Sequence, residues 1–77
     1  MSTQADQDLD TLGLLCPLPV LKARKRLMAM PKGAVLRVLA DDPAAVVDIP
    51  HFCVQSGHEL LGMQDAGGAT SYLIRKG

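Results

Sequence analysis

The 77-residue sequence has no tryptophan, one tyrosine and one phenylalanine. An aromatic core is excluded, so whatever core forms must come from Leu, Val, Ile, Ala and Met. There is also no platform of rings on which the bases of a nucleic acid would stack. An excess of charge of one sign is missing too. Eight basic and eight acidic side chains cancel, whereas a general nucleic-acid binder needs surplus cations to neutralise phosphates. No apolar run approaches the roughly 18 residues that cross a bilayer. The opening MSTQADQDLD is polar and acidic, unlike a secretory signal. These absences lead to the expectation of a cytoplasmic protein that binds neither membrane nor nucleic acid directly. Two cysteines are too few for a disulfide scaffold, and in that compartment both are expected as free thiols.

What is present suits a compact fold: 48% hydrophobic and 21% charged residues, in a chain long enough for one domain and too short for two. Residues 1–7 read as a flexible tail and residues 8–77 as the single domain. LDTLG, residues 9–13, is a short strand candidate. A helical period starts at Pro17, with Val20, Ala23, Leu27 and Met30 on one stripe and Leu21 and Met28 widening it. Pro31 and Gly33 end this helix. AVLRVLA, residues 34–40, is nearly continuous in apolar residues, as a central strand would be. Asp42 then suits a helix N-cap and Pro43 the first helical position. The second helix runs to about Ser56 and is capped by Gly57, with an interruption or kink expected at Pro50. HELLGMQD and TSYLIRK, joined by AGGA, read as a hairpin. The expected fold is α+β, a two-layer sandwich in the order β-α-β-α-β-β. Two helices cover one face of a four-stranded mixed sheet.

The segment LLCPLPVLKARKRL, residues 14–27, carries the chemistry. The first four N–H groups of a helix have no partner within it, so proline loses little there. With Cys16 as N-cap, Pro17 and Pro19 occupy the first and third helical positions and stiffen the turn. Leu18 and Val20 keep N–H groups that can point back toward the sulfur. The partial positive charge of a helix N-terminus favours the thiolate, and the Lys22 ammonium would add to it. The alternative is that Cys16, following Leu14 and Leu15, is core filling, since free cysteine is among the most buried residues. No second cysteine follows within two or three residues, which excludes a CxxC disulfide oxidoreductase. A thiol hydrolase needs a histidine against the sulfur, and His51 and His58 are distant in sequence. One activated sulfur without a local base or resolving thiol suits group transfer.

LDTLGLLCPLPVLKARKRL, ADDPAAVVDIPHFC, GHEL and YLIRKG together resemble the TusA family of small sulfur-carrier proteins, also known as SirA-like. The resemblance covers residues 9–77. It implies the same sandwich and a sulfurtransferase role without cofactor. Cys16 matches the family's persulfide cysteine, which accepts sulfur from a cysteine desulfurase and passes it to a downstream sulfur-relay acceptor protein. The best-known route ends in 2-thiolation of the tRNA wobble uridine; relatives feed molybdenum-cofactor assembly or oxidative sulfur metabolism. Pro17 and Pro19 match the family's prolines, and Arg24 and Asp42 match positions that face the desulfurase. A carrier that docks with two partners in turn is expected to be a monomer.

Other residues have simpler readings. Lys22, Lys25 and Arg26 form either the solvated face of an amphipathic helix or a docking patch for an acidic partner, and the two are compatible. A redox-regulatory role for Cys16 is a further alternative. Cys53, beside Phe52, reads as a small buried hydrophobe. The spacing of Cys16, His51, Cys53 and His58 matches no closed zinc site, so no metal is expected.

Overall fold

The computed structural model describes residues 4–77. Six elements follow one another: β1 (Gln7–Asp10), α1 (Leu18–Met28), β2 (Val35–Ala40), α2 (Ala45–Ser56), β3 (Glu59–Asp65) and β4 (Thr70–Arg75). The strands form one mixed sheet in the order β1-β2-β4-β3. β1 runs parallel to β2, while β4 is antiparallel to both β2 and β3. This is the expected two-layer α+β sandwich.

Alternation along the strands explains the layering. Leu36, Val38 and Ala40 on β2 and Tyr72 and Ile74 on β4 are buried. They point to the face on which α1 sets Ala23 and Leu27 and α2 sets Ala45, Ile49, Phe52 and Cys53. Residues between them in the strands, such as Arg37 and Arg75, point the other way and pair with Asp8 and Glu59 at the sheet's two edges. Those exposed pairs add little to stability. This layer, mostly aliphatic but with both aromatic residues, Phe52 and Tyr72, inside it contrary to the expected all-aliphatic core, does most of the work: truncating a fully buried side chain such as Leu27 to alanine costs about 2–5 kcal/mol.

Several boundaries differ from the sequence reading. β1 begins at Gln7, two residues before the expected strand, because Asp6 is already tied to β2. Its amide donates to the Val35 carbonyl at 2.8 Å, and its carboxylate accepts from the Val35 amide at 2.8 Å. Of the expected tail, residues 1–3 lie outside the described residues. β1 also stops before Leu12-Gly13, which form a turn. The Leu12 amide donates to Asp10 Oδ1 at 2.8 Å, and Gly13 takes a φ of +79°.

α1 starts at Leu18, not Pro17, and Pro17 takes the cap position that Cys16 was expected to hold. Leu21 and Met28 do not widen the buried stripe: they are 48% and 71% exposed. Successive residues turn by about 100° on a helix, which places both with Leu18 and Lys25 on the outer face. The far end of α1 is held by the C-terminal segment, where Lys76 Nζ donates to the carbonyls of Leu27 and Met30 at 2.7 and 3.0 Å. A cation on the last carbonyls of a helix is favourably placed.

α2 starts at Ala45 with Ala44 as its cap residue, so neither Asp42 nor Pro43 holds the position expected of it. Asp42 instead closes the turn before the helix, its carbonyl accepting from the Ala45 amide at 3.0 Å. Pro50 does not interrupt α2, whose buried row, Ala45, Ile49, Phe52 and Cys53, stays on the sheet on both sides of it. Gly57 ends the helix as expected, at a φ of +76°. In the β3–β4 hairpin Gly67 and Gly68 supply the positive φ of the turn, and a bulge between Leu60 and Gly62 shifts the register.

Candidate functional site

Cys16 lies in the loop between β1 and α1 and is exposed. The core-filling reading of Cys16 therefore fails: the thiol is exposed, as are Leu12 and Leu15 in the same loop, at 43% and 67%. Two anchors position the loop. Thr11 is fully buried at its base and donates its hydroxyl to the Leu39 carbonyl at 2.7 Å. At the cysteine itself, the Cys16 amide donates to Asp42 Oδ2 at 2.7 Å. Asp42 is buried, and its other oxygen accepts from the Ala44 amide at 3.3 Å. One carboxylate thus ties the loop before α1 to the loop before α2. Neighbouring Asp41 adds a second tie, accepting from the Gly13 amide at 3.0 Å.

The proline turn works somewhat differently from the expectation. Pro19 occupies the second helical position, where its missing N–H is still no loss. The Leu18 amide donates to the Leu15 carbonyl at 2.8 Å, so it is engaged with the backbone and does not point to the sulfur. Val20 is half-buried, and its side chain contributes a wall beside the cysteine.

Cys16 opens onto a groove of about 290 Å³ between the two helices. Pro17 and Val20 line it from the α1 side, and Asp48, His51, Phe52 and Gln55 from α2. Asp48 is the residue that reading the sequence missed, and His51, distant from Cys16 in sequence, is brought to the same groove. The positions 48, 51, 52 and 55 fall on one face of a helix, a pattern visible in the sequence. Nothing in that pattern said the face would lie against Cys16.

The electrostatics overturn the expected thiolate activation. The Cys16 thiol is pushed above its ordinary value, first because the Asp48 carboxylate accepts its hydrogen bond. Desolvation and the negative charges of Asp48 and Asp42 act in the same direction. These negative charges oppose the partial positive charge of the helix end. Lys22 offers no relief, since it lies on another side of α1, with Lys25, Arg26, Ala29 and Leu9 around a separate hollow. Arg26 there bridges to β1, donating to Gln7 Oε1 and the Asp8 carbonyl, both at 3.3 Å. Arg24 and Lys25 are exposed.

The other sulfur and imidazole are elsewhere. Cys53 is buried in the core, which pushes its thiol up to about 11. His58 packs its ring near Phe52, with centroids 5.6 Å apart, and accepts from the Gly77 amide at 3.0 Å. Among the described residues no group of three or more His, Cys, Asp or Glu side chains is placed to hold a metal ion. No helix among them is long and apolar enough to cross a membrane.

An exposed cysteine in a proline-stiffened turn, on a βαβαββ sandwich, invites comparison with known families. The family model described as Sulfurtransferase TusA matches residues 7–76. The chain belongs to the TusA family. Relatives include proteins named Sulfur carrier protein TusA from Allochromatium vinosum and Pseudomonas entomophila. Each is 49% identical over 71 residues, which is 92% of this chain and 93% and 89% of theirs, respectively. Among solved structures, a SirA-like protein from Desulfitobacterium hafniense superposes with a TM-score of 0.81 at 26% identity. The match covers 92% of this chain and 97% of that one. The TusA match takes in both loops that meet at Cys16 and the whole of α2, so the groove lies inside the family's fold.

Proposed function

We propose that this chain is a sulfurtransferase that carries sulfur as a persulfide on Cys16. It takes the sulfur from a cysteine desulfurase and gives it to an acceptor protein, and the route we assign is 2-thiolation of the tRNA wobble uridine. The observation that carries this reading is the placement of Cys16: exposed, held by its own amide on buried Asp42, and open to a groove beside it. A free sulfur so presented is open to a partner's sulfur. Membership of a family of sulfur carriers supports the same reading.

The transfer needs no cofactor. Cys16 Sγ attacks the outer sulfur of the donor's persulfide, and a new S–S bond forms between them. The donor's own S–S bond breaks, and its electron pair stays on the donor cysteine, which leaves as a thiolate and takes up the proton given by Cys16. A thiol and a persulfide become a persulfide and a thiol, with no net oxidation. The same exchange in the opposite sense unloads the carrier onto an acceptor thiol. Tying the Cys16 backbone to Asp42 fixes where the sulfur stands, so a docked partner meets it in one geometry. Arg24 and Lys25, exposed on α1, are assigned to partner contact, while Asp42, expected there too, is buried on the Cys16 and Ala44 amides and fixes the loop instead; the carrier acts as a cytoplasmic monomer.

The test is an intact mass after incubation with a cysteine desulfurase and cysteine. Wild type gains a sulfur adduct that a reducing agent removes, and Cys16→Ser gains none. An adduct that persists in Cys16→Ser overturns the assignment. Thiolated tRNA in a reconstituted relay that depends on this protein tests the route separately.

A further inference from the structure

The groove beside Cys16 contains a carboxylate that the exchange reaction does not itself require. Asp48 sits in the first turn of α2, half-buried, and lines the same groove as Cys16. The charged and titratable groups around the sulfur can be named element by element. α2 supplies Asp48 and His51, and the loop before α2 supplies Asp42. α1 supplies only the apolar Pro17 and Val20, because its lysines are turned to the other hollow. Among the described residues no lysine or arginine lines the groove. An acidic group at one end of an apolar trough is complementary to a cation on an alkyl stem, whose methylenes lie on Pro17, Val20 and Phe52 while its head meets the carboxylate.

We propose that Asp48 is a positioning residue for the Cys16 thiol across the groove they share, and that the groove receives a lysine or arginine side chain of the sulfur donor, which pairs with that carboxylate. This rests on the reading of Cys16 as the sulfur-carrying residue. In the free carrier the negative charges of Asp48 and Asp42 disfavour the thiolate, which is the reactive form. When a donor cation pairs with Asp48, the repelling charge is neutralised. Cys16 then ionises while it faces the donor's persulfide. The sulfur is kept quiet against stray electrophiles and released on docking.

The experiment needs no sulfur donor, so its failure is distinct from failure of the carrier reading. The purified protein is reacted with cystamine, a cationic disulfide, and with dithiodiglycolate, an anionic one, each rate taken relative to a cysteine peptide. Wild type is expected to favour cystamine by roughly tenfold at low salt. Asp48→Asn brings the ratio to within about threefold, Asp42 remaining, and Asp48→Glu restores it. With neutral iodoacetamide, the pH midpoint of alkylation moves to lower pH in Asp48→Asn and the neutral-pH rate rises severalfold, because losing the negative charge favours the thiolate. A purely structural role for Asp48 would shift neither the charge preference nor the midpoint in these directions. Should Asp48→Asn fail to fold, the wild-type ratio still tests the proposal, as added salt must compress it. A ratio near one in wild type, a ratio indifferent to salt, or an Asp48→Asn midpoint equal to wild type overturns it.

Discussion

The two cysteines, 37 residues apart, occupy opposite environments. Cys16 is exposed in a loop, with the Asp48 carboxylate in the groove beside its thiol and Asp42 on its amide. Cys53 is 2% exposed on the sheet-facing side of α2, among Ile49, Phe52 and Tyr72. Both thiols are harder to ionise than usual, but for different reasons. At Cys53 the cause is burial, which no partner can relieve without unfolding the helix from the sheet. At Cys16 the leading cause is one half-buried side chain at the rim of an open groove. A raised thiol pKa therefore does not by itself separate a structural cysteine from a working one. What separates them is whether the cause can be removed from outside.

The sharpest way to break this comparison is native-state alkylation at pH 8. Cys53 is 2% exposed and has to open before it reacts, so its rate carries the full cost of opening whereas that of Cys16 does not. Iodoacetamide should therefore modify Cys16 at least about a hundredfold faster than Cys53, read by peptide mass after quenching. Comparable rates at the two sites would mean that α2 is not held on the sheet as described.

A smaller effect sharpens the account of Cys53. Its folded-state thiol titrates at about 11 against an ordinary 9.0. Between those values the unfolded chain releases the proton while the folded one keeps it, so stability falls as pH rises from about 9 to about 11 and then levels. The two-unit difference corresponds to about 2–3 kcal/mol at the alkaline end. Tyr72 and Cys16 are also pushed up and steepen the slope in the same sense. The difference between wild type and Cys53→Ala isolates Cys53. Urea unfolding at a series of pH values should show the shallower alkaline loss in the variant, whatever its cavity does to the absolute stability. Equal slopes would assign the alkaline loss to other groups.

The same contrast shows how far the sequence could be read. Periodicity found every element in its order, because alternation in VLRVLA and TSYLIRK and the spacing of Ala23 and Leu27 record which face is buried. It also singled out CPLP as the turn that presents a sulfur, and took Cys53 for a buried hydrophobe. Boundaries slipped where side chains compete with the backbone. Asp42 reads as an N-cap, but its carboxylate is engaged by an amide 26 residues away, and the helix begins later. The electrostatics of Cys16 were hidden for a related reason. They depend on α2 lying beside α1 with the Asp48 face inward, and no local pattern states which flank of one helix meets which flank of another. Lys22, near in sequence, proved remote; Asp48, 32 residues on, proved adjacent.

Asp42 gives the smallest effect, and it separates geometry from charge at the working cysteine. Its two oxygens accept from the Cys16 and Ala44 amides, and it also contributes negative charge to the thiol's surroundings. Asp42→Asn keeps one acceptor oxygen, so one of the two amides loses its partner; Asp42→Ala removes both. Net loss of such bonds is about 1 kcal/mol each where water can reach the freed amides. Asp42→Ala should thus cost about 1–2 kcal/mol in urea unfolding and Asp42→Asn about half of that. Hydrogen exchange at the Cys16 amide should quicken in Asp42→Ala, while the amide of Cys53 keeps its protection relative to global unfolding. Both variants lose one negative charge near the sulfur, so both should alkylate somewhat faster than wild type at neutral pH. If only Asp42→Ala does so, the gain comes from a loosened loop; if both do, it comes from the charge. An unchanged Cys16 amide in Asp42→Ala would show that the prolines alone hold the turn.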